Sequence, residues 1–265
     1  MLAADCAQVL PRLPDGAFEL IYIDPPFNTG ARRRHRRLEV ARDPAGERLG
    51  FGGHRYRVSA AGEMEYEDSF EDYVGFLAPK LERARELLAP EGTLYVHLDY
   101  REAHYVKVAL DAIFGRDCFL NEIIWAYDYG GKPARRWPAK HDTILVYVRD
   151  RDRHLFDAGA VDREPYMAPG LVGPEKAARG KRPTDTWWHT IVATSGRERT
   201  GYPTQKPEAI VRRMVAASSR PGGWCLDFFA GSGTLGAVCA ALGRHYVLID
   251  SNPQAIAVIR ERLGL

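Results

Sequence analysis

Phe18–Ile23 (FELIYI) is an unbroken apolar, β-rich run that stops at Asp24-Pro25-Pro26, and short runs of this kind alternate with helical periods down the chain. Phe70, Tyr73, Val74, Leu77, Leu81, Ala84 and Leu88 recur at three- and four-residue steps, which predicts a helix closed by Pro90-Glu91-Gly92. A strand is expected at Thr93–Leu98 and a helix at Glu102–Phe114, closed by Gly115. Ile123–Tyr127 and Ile144–Val148 read as a hairpin whose tip carries Gly130-Gly131-Lys132-Pro133 and an Arg-Trp-Pro loop. A helix over Glu208–Ser218, a strand over Trp224–Phe229, a helix over Thr234–Leu242, a strand over Tyr246–Asp250 and a helix over Ala255–Leu263 complete the series. Such alternation predicts an α/β fold with a mainly parallel sheet. Functional groups in these sheets gather past the carboxyl ends of the strands, where Asp24, Asp99, Asp227 and Asp250 all stand.

A 265-residue chain accommodates one such domain with an insertion. Two stretches lack periodicity. Arg32 to Gly62 reads as a long exposed loop, and Arg149 to about Gly201 as an insertion carrying recognition, with Trp187 and Trp188 in it. Ordinary apolar (45%) and charged (27%) usage excludes disorder and coiled coil as the main state. No apolar run is long enough for a membrane span, which together with four scattered cysteines predicts a reduced, cytoplasmic protein. With no CxxC pair and no HExxH spacing, no metal site is expected.

The net charge of +2 hides a strong asymmetry. Residues 31–57 hold nine arginines against three acids, whereas Glu63 to Asp72 holds six acids and no base. A basic segment rich in arginine suits a polyanion, and Arg32, Arg33, Arg34, Arg36 and Arg37 are the candidate phosphate contacts.

Asp227-Phe228-Phe229-Ala230-Gly231-Ser232-Gly233-Thr234-Leu235-Gly236 follows a strand and opens a helix. Glycines there let a ligand approach the backbone, and an acid at the next strand end, Asp250, can accept hydrogen bonds from ribose hydroxyls. Those needs are common to every adenosine cofactor. A dinucleotide site and a ligand-free structural turn stay open, although few residues follow Gly236 to build the rest of a dinucleotide half-sheet.

At Asp24-Pro25-Pro26-Phe27 two prolines remove two backbone donors, leaving carbonyls as pure acceptors beside a carboxylate and an aromatic ring. That set suits a planar ring bearing an amine. Two acceptors take the amine hydrogens while Phe27 stacks, which draws the nitrogen lone pair out of conjugation and makes it nucleophilic. The bland reading is a strand-ending turn with a half-exposed Phe.

Taken together, these residues resemble the DNA amino-methyltransferases, S-adenosylmethionine enzymes that methylate adenine N6 or cytosine N4. Asp24-Pro25-Pro26-Phe27 is similar to their catalytic D/N/S-P-P-Y/F/W motif, and Phe229-Ala230-Gly231-Ser232-Gly233 to their FxGxG cofactor motif, with Phe228 where proline is more usual. Tyr202-Pro203-Thr204-Gln205-Lys206-Pro207 is similar to their PTQKP segment. The order, catalytic turn first and glycine turn last, is that of the beta class. The resemblance implies a Rossmann-like methyltransferase sheet of about seven strands with a terminal hairpin and an inserted target-recognition region. It divides the chain into a catalytic half (1–149, with the basic loop 31–62), a recognition insertion (150–201) and a cofactor-binding half (202–265).

By the same resemblance Asp24, Pro25, Pro26 and Phe27 hold the target base, while Asp227, Phe229, Gly231, Ser232, Gly233 and Asp250 hold the cofactor. Asp5 and Cys6 lie at its adenine, on little preceding chain, and Thr204 and Lys206 near its methionine carboxylate. Double-stranded DNA is the implied partner, because a base must be extruded and the phosphates around it held. The resemblance also admits a restriction endonuclease partner and a homodimer. Asp rather than Ser before the prolines favours adenine N6 over cytosine N4. No Pro-Cys pair is present, which argues against methylation at cytosine C5. An RNA or protein-glutamine methyltransferase, and a catalytically dead DNA-binding module, remain the alternatives.

Overall fold

The computed structural model describes residues 1–45, 47–49, 55–193 and 196–265, with backbone alone for 31–42, 48–49, 56 and 58–68. In chain order the elements are β1 (Leu2–Ala3), α1 (Cys6–Val9), β2 (Phe18–Ile23), β3 (Ala31–Arg42), β4 (Arg48–Leu49), β5 (Arg55–Asp68), α2 (Tyr73–Leu87), β6 (Leu88–Leu98) and α3 (Ala103–Phe114). Next come β7 (Phe119–Ala126), β8 (His141–Val148), α4 (Pro174–Arg179), β9 (Thr186–Trp188), α5 (Glu208–Ser218), β10 (Trp224–Asp227), α6 (Thr234–Leu242), β11 (His245–Asp250) and α7 (Pro253–Leu263). Two compact units result, one of Met1–Phe27 with Asp72–Leu265 and one of Asn28–Glu71.

The larger unit is built on an eight-stranded sheet in the order β1-β11-β10-β2-β6-β8-β7-β9. From β1 to β6 every neighbour pair is parallel, β6/β8 and β8/β7 are antiparallel, and β9 returns parallel to β7. The central strands are apolar on both faces, as helix-covered strands must be: Leu20, Ile21, Ile23, Leu94, Val96 and Leu226 are fully buried. Local signals set the helix ends. Asp72 accepts from the Gly75 N–H at 2.8 Å to cap α2, and Asn252 accepts from Gln254 N–H at 2.9 Å ahead of Pro253 in α7.

The expected α/β class, the mainly parallel sheet, the β7/β8 hairpin and every expected helix are present. Three expectations need correction. The hairpin is not terminal: Thr186–Trp188, from the segment read as irregular, adds an eighth strand outside it. Leu2–Ala3, where little room for a strand was expected, pairs with Ile249–Asp250.

The third correction concerns 31–62, of which the described residues 31–42, 48–49 and 55–62 are strand and not loop. In the smaller unit β3, β5 and β4 form an antiparallel sheet, with Arg32 opposite Glu67, Arg34 opposite Glu65 and Arg36 opposite Glu63. The basic run and the acidic run after it are thus neighbouring strands. Hydrophobic periodicity does not register pairing of this kind, which main-chain hydrogen bonds and opposed charges favour.

Candidate active site at the sheet switch point

Strand order reverses between β2 and β10. From β10 the chain moves outward through β11, and from β2 it moves the other way through β6, which opens a crevice at their carboxyl ends. Asp24 follows β2, Asp99 follows β6, and Asp227 and Asp250 end β10 and β11, so the four acids stand along one edge of the sheet.

On the β10 side the chain turns through Phe229–Gly233 into α6. Gly231 and Gly233 have φ of 49° and 72°, the left-handed region in which a side chain is strained, and a Cβ on Gly233 would meet Ile259 at 3.0 Å. Asp250 pins this turn. One carboxylate oxygen accepts from Gly231 N–H and the other from Asn252 N–H, each at 2.8 Å. Acceptor capacity remains on the carboxylate for a further donor. Burial pushes the Asp250 carboxyl above its ordinary range, and Asp227, wholly buried and accepting from Phe229 N–H at 2.9 Å, is pushed well above it for the same reason.

The expected cofactor residues are distributed as follows. Phe229 is half-buried against Phe76, with ring centroids 6.2 Å apart. Asp5 caps α1 by accepting from Ala7 N–H, and Ala4 N–H donates to the Asp250 carbonyl at 3.1 Å, which sets the start of α1 beside the β11 end. Cys6 is buried, and burial pushes its thiol up to about 11. The Ser232 hydroxyl faces inward, 3.1 Å from Thr234 Oγ1, with Arg262 donating to the Ser232 carbonyl. Thr204 is exposed and holds φ of 59°, a strained backbone for a β-branched residue.

On the β2 side, Asp24 faces Lys206. The Lys206 ammonium is paired with Asp24 Oδ2 and lies 4.8 Å from the centroid of the Phe27 ring. Asp24 Oδ1 is buried and has no hydrogen-bond partner among the described residues. A buried acceptor without a donor is costly in a folded chain, and here its sister oxygen holds the ammonium that lies against the Phe27 ring. The turn before α5 is held by Gln205, which accepts from Thr200 and donates to the Glu198 carbonyl, so that Lys206 reaches Asp24 from a tied loop.

Several residues of this region escaped the sequence reading. Phe76 and Lys80 of α2 belong with Phe229 and Cys6, Lys80 lying 3.7 Å over the Phe76 ring. Phe76 lies off the apolar stripe of its helix, and that displacement is the signal that could have found it. His97, buried behind Phe27, is the histidine of the otherwise apolar or aromatic stretch Leu94–Leu98. Of the two tryptophans in the insertion, Trp187 packs, its indole N–H donating to the Thr184 carbonyl, whereas Trp188 is exposed, as is Trp137 on the hairpin tip. The side chains of Arg32, Arg33, Arg34, Arg36 and Arg37 lie outside the described residues; their backbone is β3.

A glycine turn at one side of the switch point and an acid-proline-proline-aromatic turn at the other define the class of the fold and site: an amino-methyltransferase of nucleic acid. The chain belongs to the N6/N4 DNA methylase family, whose model matches residues 18–261. That family consists of S-adenosylmethionine-dependent DNA methyltransferases, so the cofactor expected from the resemblance holds at family level. The type II methyltransferase M.HpaI of Haemophilus parainfluenzae is 28% identical, over 99% of this chain and 73% of its own length. The DNA adenine methyltransferase YhdJ of Escherichia coli K12 is 27% identical, over 100% of this chain and 82% of its own. Among solved structures, the complex of M1.HpyAVI with S-adenosylmethionine shares the fold, with a TM-score of 0.61 at 20% identity over 100% of this chain and 98% of that one. Among the described residues, no helix is long and apolar enough to cross a membrane.

Proposed function

We propose that this chain transfers a methyl group from S-adenosylmethionine to the exocyclic N6 amine of adenine in duplex DNA. The observation that carries the reading is Asp24 Oδ1, a buried acceptor without a partner among the described residues, whose sister oxygen is paired with the Lys206 ammonium that lies 4.8 Å from the Phe27 ring centroid. An extruded adenine stacked on Phe27 brings a donor to that oxygen, and a carbonyl of the proline turn takes the second amine hydrogen. Holding both hydrogens frees the nitrogen lone pair for attack. Lys206 on Oδ2 offsets the carboxylate charge and keeps Oδ1 for the amine. After alkylation the nitrogen sheds a proton to Asp24 Oδ1.

The cofactor supplies an electrophilic methyl group on a sulfonium centre. In this chain Asp250 would accept from its ribose hydroxyls, Phe229 would flank its adenine with Asp5 and Cys6, and Gly231 and Gly233 would let it approach the backbone. Thr204 and Lys206 would stand at its carboxylate end. The fit rests on the acceptor capacity left on Asp250, on the left-handed turn at Gly231 and on the half-buried Phe229 ring. Asp24 before the proline pair supports adenine over cytosine, as does the likeness to a relative named an adenine methyltransferase. The basic β3 would hold phosphates, and residues 150–201 with the 128–140 tip would read sequence.

Mass spectrometry of nucleosides from DNA of a host expressing the protein tests the reading, and N6-methyladenine is the expected product. N4-methylcytosine in its place would overturn the choice of base, and methylation confined to RNA or protein the choice of substrate.

A further inference from the structure

Behind Phe27 lies a chain of polar side chains for which the reaction just described has no role. His97 of β6 is fully buried, with both ring nitrogens engaged: Nδ1 lies 3.1 Å from the Tyr22 hydroxyl and Nε2 3.1 Å from Asp142 Oδ2. Asp142 of β8 uses its second oxygen to accept from the Tyr127 hydroxyl at 3.0 Å. With the imidazole proton on Nε2 every donor meets an acceptor, Tyr22 to His97, His97 to Asp142, and Tyr127 to Asp142. Burial pushes the Asp142 carboxyl up, but the bond from His97, the nearby Lys206 charge and Tyr127 outweigh it, and the acid falls below its ordinary range.

The chain crosses four strands that are consecutive in the sheet, β2, β6, β8 and β7. Its inner end, Tyr22, is two residues before Asp24. Its outer end, Tyr127, directly follows β7 at the neck of the 128–140 tip, where Tyr127 N–H donates to the Lys140 carbonyl at 2.9 Å. Aromatic rings fill the space around it. Phe27 lies 6.1 Å from the His97 ring at an interplanar angle of 33°, and Trp125 meets His97 edge-on at 5.5 Å. Burying two ionisable side chains among aromatic rings is costly unless each hydrogen bond is made, and a completed network of this kind holds one geometry.

We propose that Tyr22, His97, Asp142 and Tyr127 are positioning residues for Phe27, setting the tilt at which its ring receives the target base and tying that tilt to the neck of the 128–140 tip. None of the four touches the reacting atoms. The relay acts through Phe27, so the inference rests on the reading of Phe27 as the base's stacking partner.

The test uses the full-length protein and two duplexes bearing the methylated site, one unaltered for turnover and one with 2-aminopurine in place of the target adenine for fluorescence. Tyr127→Phe and Tyr22→Phe each delete one hydroxyl and keep the ring, and His97→Gln keeps a donor and an acceptor. Expected are variants that stay folded at the assay temperature, with melting temperatures lowered by roughly a few degrees, and S-adenosylmethionine affinities close to the parent's. Expected too are a tenfold or larger fall in kcat with little change in the KM for DNA, and a brighter 2-aminopurine signal because stacking on Phe27 is imperfect. The effect of Tyr127→Phe is the most telling, since that hydroxyl is the furthest along the relay from the base. Unchanged kcat and fluorescence in folded variants would overturn the proposal, as would a rate loss that only follows the fraction unfolded. Phe27→Ala separates the two readings. If it dequenches the base while the relay variants do not, the relay alone falls; if Phe27→Ala changes nothing, the stacking reading falls and the relay with it.

Discussion

Lys206 stands 182 residues beyond Asp24 in the chain, yet its ammonium group is seated on the Asp24 carboxylate and over the Phe27 ring. Two segments that each read as a motif are therefore one electrostatic unit. Removing one member of a nearly buried ion pair leaves the other charge uncompensated, whereas removing both does not. Lys206→Met should cost roughly 2–3 kcal/mol of stability, and adding Asp24→Asn should recover part of that loss. Urea denaturation of the two single variants and the double variant gives the coupling, and strictly additive losses would show that the pair contributes nothing.

The division of labour proposed for the Asp24–Phe27 turn should be visible in kinetics. Asp24→Ala should lose most of the turnover and keep cofactor and DNA affinity, because its bond to the amine strengthens as charge develops on nitrogen. Phe27→Ala removes a stacking surface and should weaken retention of the extruded base by roughly 1–3 kcal/mol. Single-turnover rates and equilibrium binding separate the two effects; a loss of DNA affinity alone in Asp24→Ala would contradict the assignment.

On the proposed reading Asp250 has two duties, and its removal should show both. Asp250→Ala leaves the N–H groups of Gly231 and Asn252 without their acceptor and deprives a ribose of its partner, costing on the order of 1–3 kcal/mol in cofactor affinity. Calorimetry checks the binding. Unchanged affinity in a folded variant would take Asp250 out of the site.

Asp227 and Asp142 should respond to pH in opposite senses. The folded Asp227 carboxyl lies well above its ordinary value of 3.8 because of burial, so the stability it contributes is lost as pH rises through that raised value. Asp227→Asn keeps an acceptor for Phe229 N–H, and its stability relative to the parent should improve as pH rises from about 4 up to that raised value and level off above it, with no such gain below about pH 4. Asp142 is depressed, so its contribution is present above 3.8 and lost as pH falls through the folded value. Asp142→Asn should destabilise at neutral pH by roughly 1–3 kcal/mol, by less in acid. Denaturation between pH 4 and pH 8 follows Asp227, and denaturation from pH 4 down through the folded Asp142 value follows Asp142; parallel trends would refute the assignment.

The register of β3 against β5 divides its arginines. Arg32, Arg34 and Arg36 stand opposite glutamates, whereas Arg33 stands opposite Tyr66 and Arg37 opposite Gly62. Phosphate contacts should rest more on the second pair. Replacing Arg33 and Arg37 by Ala should weaken binding about equally for all sequences and lower the salt slope by up to roughly 0.9 per lost contact, more than the same change at Arg32 and Arg34. Equal slopes for both double variants would remove the distinction.

Much of this molecule could be read from local pattern. Helices and strands of the larger unit follow from periodicities that burial imposes, and Phe18–Ile23, Glu208–Ser218 and Thr234–Leu242 match their expected bounds. The two turns could be read as well, because prolines and left-handed glycines are backbone necessities and leave a mark in the chain itself. What hydrogen bonds between distant strands decide leaves no such mark. Nothing in Arg32–Gly62 announces a strand pair, nor in Thr186–Trp188 an edge strand, since in both the partner is supplied by another segment. The same holds for chemistry. The sequence by itself determined which groups are present, Asp24, Phe27, Lys206, His97 and Asp142 among them. Only the tertiary structure decided that Lys206 takes one oxygen of Asp24 and leaves the other bare, and that His97 and Asp142 meet behind Phe27. Those relationships depend on the register and order of strands far apart in the chain, which side-chain spacing along one strand does not encode.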